Sequence, residues 1–217
     1  MRTRVRLGGL AAGLVVAVLV VAPVAAASPW FSVKQTGTFA FAFGETCQDN
    51  GDGTTTCQGQ SLDVLEGSQK SSGSRRTAGQ QVCTSTYTVT FVTETGEPLN
   101  QVEAFGCVSD PGTLTVDGLD SITLAATEID LFQFSCDEET GECTETPAGS
   151  ITVSGTWMGV GPLVTSTGRF SFDDGVCRIV QSDRTTQRPA EFSGSFEAFD
   201  VGMSQGTFSF RTSCIVV

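Results

Sequence analysis

An all-β fold is predicted by three features of the sequence. Apolar and polar residues alternate with a period of two along most of the chain, clusters of Gly, Asp, Asn and Pro interrupt these runs, and no segment shows helical periodicity. The pattern predicts an antiparallel β-sandwich or β-barrel of about ten short strands, stapled by disulfides; whether residues 37–116 and 128–217 are two pseudo-repeats is left open by the pattern. Crossover helices are missing, which disfavours the α/β classes.

The first segment reads as a targeting signal. Arg2, Arg4 and Arg6 precede an apolar run over residues 7–21, and Ala25-Ala26-Ala27 forms a small-residue cleavage site. The run is shorter than the ~20 residues that comfortably span a bilayer. Residues 1–27 are therefore expected to be a signal peptide and 28–217 a single secreted all-β domain. Cleavage would remove three arginines and no acid, leaving 9 basic and 24 acidic residues, a charge of -15.

Along the remaining chain, Phe39, Phe41 and Phe43 alternate with Thr38, Ala40 and Ala42. Residues 82–92 alternate between a set containing Cys83, Tyr87, Val89 and Phe91 and a threonine-rich set. Similar runs cover 121–126, 128–136, 150–158, 163–172, 176–182, 191–199 and 206–214. Turn signals separate them at Asp110-Pro111-Gly112, Asp117-Gly118 and Asp173-Asp174-Gly175. The 15 phenylalanines are expected to form the interior. Residues 67–80, rich in Gly and Ser, read as the most mobile connection.

Eight cysteines in an exported chain read as four disulfides. Turn positions select among the pairings. Cys47 and Cys57 flank the turn-rich residues 48–53, and Cys83 and Cys107 are equidistant from Thr95 in the turn 94–98. Cys136 and Cys143 flank the acidic residues 137–142, which leaves Cys177 with Cys214 by elimination. A Phe-x-Phe pair precedes Cys47, Cys136, Cys177 and Cys214 alike, and this recurrence suggests the two pseudo-repeats.

The composition excludes several chemistries. With no histidine there is no Ser-His-Asp or Cys-His nucleophile and no imidazole zinc site. The acidic excess argues against nucleic-acid partners and, after signal cleavage, against anionic membranes. No phosphate loop, dinucleotide fingerprint or Cys-x-x-Cys motif occurs. Asp49-Asn50-Gly51-Asp52-Gly53 lacks EF-hand spacing and reads as a turn, and no metal or other cofactor is expected. Asp173-Asp174, Glu197 and Asp200 offer no recognisable acid–base pair. Arg184 and Arg188 read as loop arginines before Pro189. Trp157, set among small residues, reads as core or as a ring facing a ligand in the barrel mouth.

The expected function is binding or interaction outside the cell, with an unknown small molecule or extracellular partner, by a monomer. Two alternatives remain open: a histidine-independent extracellular enzyme using carboxylates, and a structural or matrix component whose strands add edge to edge.

Overall fold

The computed structural model describes residues 30–136, 143–173 and 175–214. The expected signal peptide, the acidic residues 137–142, Asp174 and the side chain of Cys136 lie outside the described residues.

The chain forms ten antiparallel strands and no helix among the described residues. They are β1 (Trp30–Asp49), β2 (Thr54–Ser71), β3 (Thr77–Val92), β4 (Pro98–Ser109), β5 (Leu114–Asp117), β6 (Ser121–Cys136), β7 (Cys143–Gly159), β8 (Val164–Asp173), β9 (Cys177–Gly194) and β10 (Asp200–Cys214). Hydrogen bonding runs β10-β1-β2-β3-β4-β6-β7-β9, and β9 returns to β10. Eight strands thus close a barrel, with β5 added to β6 and β8 added to the outer edge of β9. Closure leaves few free edges in the ring.

The strands are longer than the alternation suggested: β1 alone spans 20 residues. The runs at 121–126 and 128–136 belong to one strand, β6, with a register shift between Leu124 and Thr127. Residues 67–80, expected to be mobile, are mostly paired strand. Gly67 to Gln69 of β2 face Gly79 to Thr77 of β3. Bonds between Gln35 and Gln69 and between Thr36 and Ser68 tie the same stretch of β2 to β1, and Ser72, just past the end of β2, bonds Ser32. Polar composition here reflects polar pairing rather than disorder.

Two places make closure work. At the β4–β6 seam only Phe105 and Phe132 are in register. Gly106 beside them admits the β6 backbone, since a Cβ there would run into the Asp130 carbonyl and the Ile129 side chain. On the other side β9 changes partner at Pro189. Its residues up to Pro189 pair with β10, while Ala190 to Gly194 pair with β7. Proline has no N–H to give to a ladder and suits that switch point; its carbonyl accepts from Val160 N at 2.8 Å.

The core fills one end of the barrel. Ala40, Leu62, Val64, Val82, Ile122, Leu124, Ile129, Val153 and Met203 surround Trp157, which is fully buried. Its indole N–H donates to the Phe41 carbonyl at 3.0 Å, across 116 residues of sequence. The ring packs on Phe192, and Phe192 on Phe196. Gly155 makes room for that stack, because a Cβ there would strike the Phe192 ring.

Most phenylalanines are not interior, contrary to the expectation from sequence. On β1 the inward residues are Thr38, Ala40 and Ala42, all buried, and Phe39 and Phe41 stack on each other on the opposite face. Phe31, Phe105, Phe134, Phe170, Phe172 and Phe199 are exposed. Trp157 occupies the space that inward phenylalanines would need.

Disulfides join Cys47 to Cys57 between β1 and β2, Cys83 to Cys107 between β3 and β4, and Cys177 to Cys214 between β9 and β10. Cys143 is also disulfide-bonded, and the backbone of Cys136 stands opposite it in register.

Candidate functional site

Uninterrupted register carries the inward face beyond the core as parallel rows of side chains. The last apolar row runs Met203, Ala40, Val64, Val82 from β10 to β3. The next runs Thr165, Thr186, Gln205, Thr38, Glu66, Gln80 from β8 to β3. After it come Thr167, Arg184, Thr207, Thr36, Ser68, Ala78, and then Arg169, Ser182, Ser209, Lys34, Lys70. One step along the strands, the inward face changes from aliphatic to polar.

This polar face forms the candidate site. A cleft of about 860 Å³ is lined by Thr36, Thr38, Glu66, Gln80, Arg184 and Gln205, among others. A second recess of about 370 Å³, lined by Thr167, Arg169 and Ser182, adjoins it through Arg184 and Thr207. Glycines 37, 67, 79 and 206 leave backbone exposed between the rows.

Hydrogen bonds hold the lining in place. Gln80 Nε2 donates to Glu66 Oε2 at 2.7 Å and to the Leu114 carbonyl at 3.1 Å. Hydroxyl pairs bridge Thr36 and Ser68 at 3.0 Å, Thr165 and Thr186 at 3.0 Å, and Ser182 and Ser209 at 2.8 Å. Arg76, from the turn between β2 and β3, donates to Ser68 Oγ at 2.6 Å. Arg184 is exposed and makes no ion pair among the described residues.

The residues singled out from sequence fall elsewhere. Trp157 is sealed in the core and does not line the cleft. Arg184 and Arg188 lie within β9 rather than in a loop, and they do not converge. Arg188 is held by Asp120 at 2.6 Å and by the carbonyls of Leu119 and Gly161, leaving Arg184 to the cleft. Asp49 and Asp52 serve their own turn, accepting from Gly51 N and Thr54 N. The Thr54 hydroxyl and backbone lower the pKa of Asp52. Asp173 accepts from Gly175 N in the same way.

Among the described residues, two groups have raised pKa values. Burial raises the Asp63 carboxyl to about 6, yet its register neighbours are Phe41 and Cys83, not a second carboxylate. Burial, with the Glu45 carboxylate accepting from its hydroxyl, raises the Tyr87 phenol. Among the described residues, the cluster with metal-ligand spacing is Glu45, Cys47 and Cys57, and its two sulfurs are joined in a disulfide and are not thiolates.

Sequence reading missed the cleft residues. The signal that could have found them is the Ser, Thr and Arg content of the positions alternating with the phenylalanines in β1, β8 and β10. No protein-family model matches the chain, and no curated protein matches it.

Proposed function

We propose that this chain is an exported binding domain whose ligand lies in the polar cleft on the inward face of the barrel, beyond the core. The observation that carries the reading is the abrupt change on one face from the buried apolar row of Ala40, Val64 and Val82 to a polar row in which Thr38 is still buried while Glu66 and Gln80 are partly exposed to the cleft. Interior positions of a barrel are filled by side chains unless the barrel encloses a site. Binding sites also place polar groups on rigid elements, and here every residue of the rows sits in a paired strand. Disulfides across three hairpins keep those strands in register and are compatible with an oxidising, extracellular setting.

The test is amide chemical-shift mapping on isotope-labelled protein, titrated with fractionated medium from the source organism. Shifts confined to Thr36, Thr38, Gln80, Arg184 and Thr207 support the reading. Shifts confined to the outward Phe-rich face, or to the loops at the core end, would place the ligand elsewhere and defeat it.

A further inference from the structure

Charge is sorted between the two faces of the same strands. Every lysine and arginine within a described strand (Lys34, Lys70, Arg169, Arg178, Arg184, Arg188 and Arg211) falls on the inward face by register. The acids Glu45, Asp63, Glu103 and Asp183 of those sheets fall on the outward face. Arg188 is neutralised by Asp120, and Asp173 stands opposite Arg178. What remains is a field of four strand cations, Lys34, Lys70, Arg169 and Arg184, joined by Arg76 through Ser68. Glu66 is the inward carboxylate residue of the cleft lining, and Asp183, which also borders the smaller recess, stands on the outward face by register.

We infer that the ligand is an acidic polysaccharide, a chain of hydroxyl-rich units bearing carboxylate or sulfate groups; this rests on the cleft being the binding site. Three arguments support the class. The polar rows from Thr38 to Lys34 extend over about 13 Å along the strands and, from β8 to β2, over about 19 Å across them by standard strand geometry. That is larger than one small anion needs and suits several linked units. Between the cations stand paired hydroxyls of Thr36, Ser68, Thr165, Thr186, Ser182 and Ser209, which can both donate to and accept from a polyol. No aromatic residue stands on the three rows from Thr38 to Lys34, since the phenylalanines of β1, β8 and β10 occupy the other face. Single-stranded nucleic acid binding normally uses such rings for base stacking. The overall negative charge does not prevent local attraction, because at physiological salt charges are screened beyond about 8 Å. The guanidinium groups of Arg184 and Arg169 match carboxylate and sulfate with two parallel N–H donors.

The inference is tested with the whole secreted chain by calorimetric titration of four probes: polygalacturonate, dextran sulfate, neutral dextran and single-stranded DNA. Polygalacturonate, dextran sulfate or both should bind, neutral dextran should not, and the affinity should fall at least about tenfold between ~50 and ~300 mM salt. Lys34→Ala with Arg184→Ala should weaken binding by about tenfold or more, and Glu66→Gln should tighten it by about two- to fivefold, both with unchanged circular dichroism. The tighter Glu66→Gln variant matters because a misfolded protein would not gain affinity. Preference between the two acidic polymers identifies the anionic group. Equal binding of neutral dextran would overturn the anionic class while leaving the cleft intact. Equal binding of DNA would overturn the saccharide class. No binding of any probe would overturn the inference as a whole. Polymer binding that survives a cleft-filling Thr36→Trp would instead sink the site assignment beneath it.

Discussion

Replacing Asp63 by Asn should stabilise the protein at neutral pH and do so less as the solution is acidified. Asp63 lies on the outward face of β2, half-buried between Phe41 of β1 and Cys83 of β3. Desolvation raises its carboxyl from 3.8 to about 6. The folded state therefore holds this proton more tightly than the unfolded chain. The associated stability is fully present below pH 3.8 and is lost as pH rises through 6. The gap of about two pH units, at about 1.4 kcal/mol each, sets an upper bound near 3 kcal/mol. Partial exposure reduces this to about 1–2 kcal/mol. Asparagine keeps the shape and carries no charge, so it avoids that penalty. Urea denaturation of both proteins at pH 4, 6 and 8 is the assay. The difference between the curves isolates Asp63 from the other carboxylates. The variant should gain about 1–2 kcal/mol at pH 8 and lose most of that gain by pH 4. A variant that is less stable at pH 8, or a difference that does not change with pH, would refute the claim that burial governs this group.

Further outcomes follow from the core and the staples. Trp157→Ala should cost about 3–5 kcal/mol in denaturant unfolding, and Trp157→Phe about 1–3 kcal/mol, because the Phe41 carbonyl loses its donor. Gly155→Ala should lower the melting temperature, since the new methyl group meets the Phe192 ring; an unchanged melting point would mean that the ring has free space to retreat. Paired Cys→Ser replacement should cost more at Cys177 and Cys214, 37 residues apart, than at Cys47 and Cys57, 10 apart. Chain-entropy estimates are about 3.8 and about 2.7 kcal/mol, and calorimetry on the two double variants checks their order.

Much of the architecture is written in local pattern. Alternation marks the strands, and turn residues at 48–53 and 94–98 place Cys47 with Cys57 and Cys83 with Cys107, as the structure has them. Alternation separates two faces but cannot say which one points inward. In β1 that was decided 116 residues away, where Trp157 fills the barrel and leaves room opposite only for Ala40 and Ala42. The phenylalanines, though more apolar, were displaced to the outside. The cleft was hidden for a related reason. Thr38, Glu66, Gln80, Thr186 and Gln205 are unremarkable one by one, and they become a site only when five strands set them in one row. Arg184 was obscured by Pro189, whose usual meaning as a loop marker fails where β9 exchanges β10 for β7.

The most direct test of the central claim is a native mass spectrum of the protein purified without denaturation from the source organism's medium, alongside Thr36→Trp prepared the same way. The account predicts a monomer beginning at Ser28, eight hydrogens lighter than its reduced form, carrying a displaceable extra mass that is absent from the variant. A ladder of oligomers without added mass, or an added mass that persists in Thr36→Trp, would contradict it.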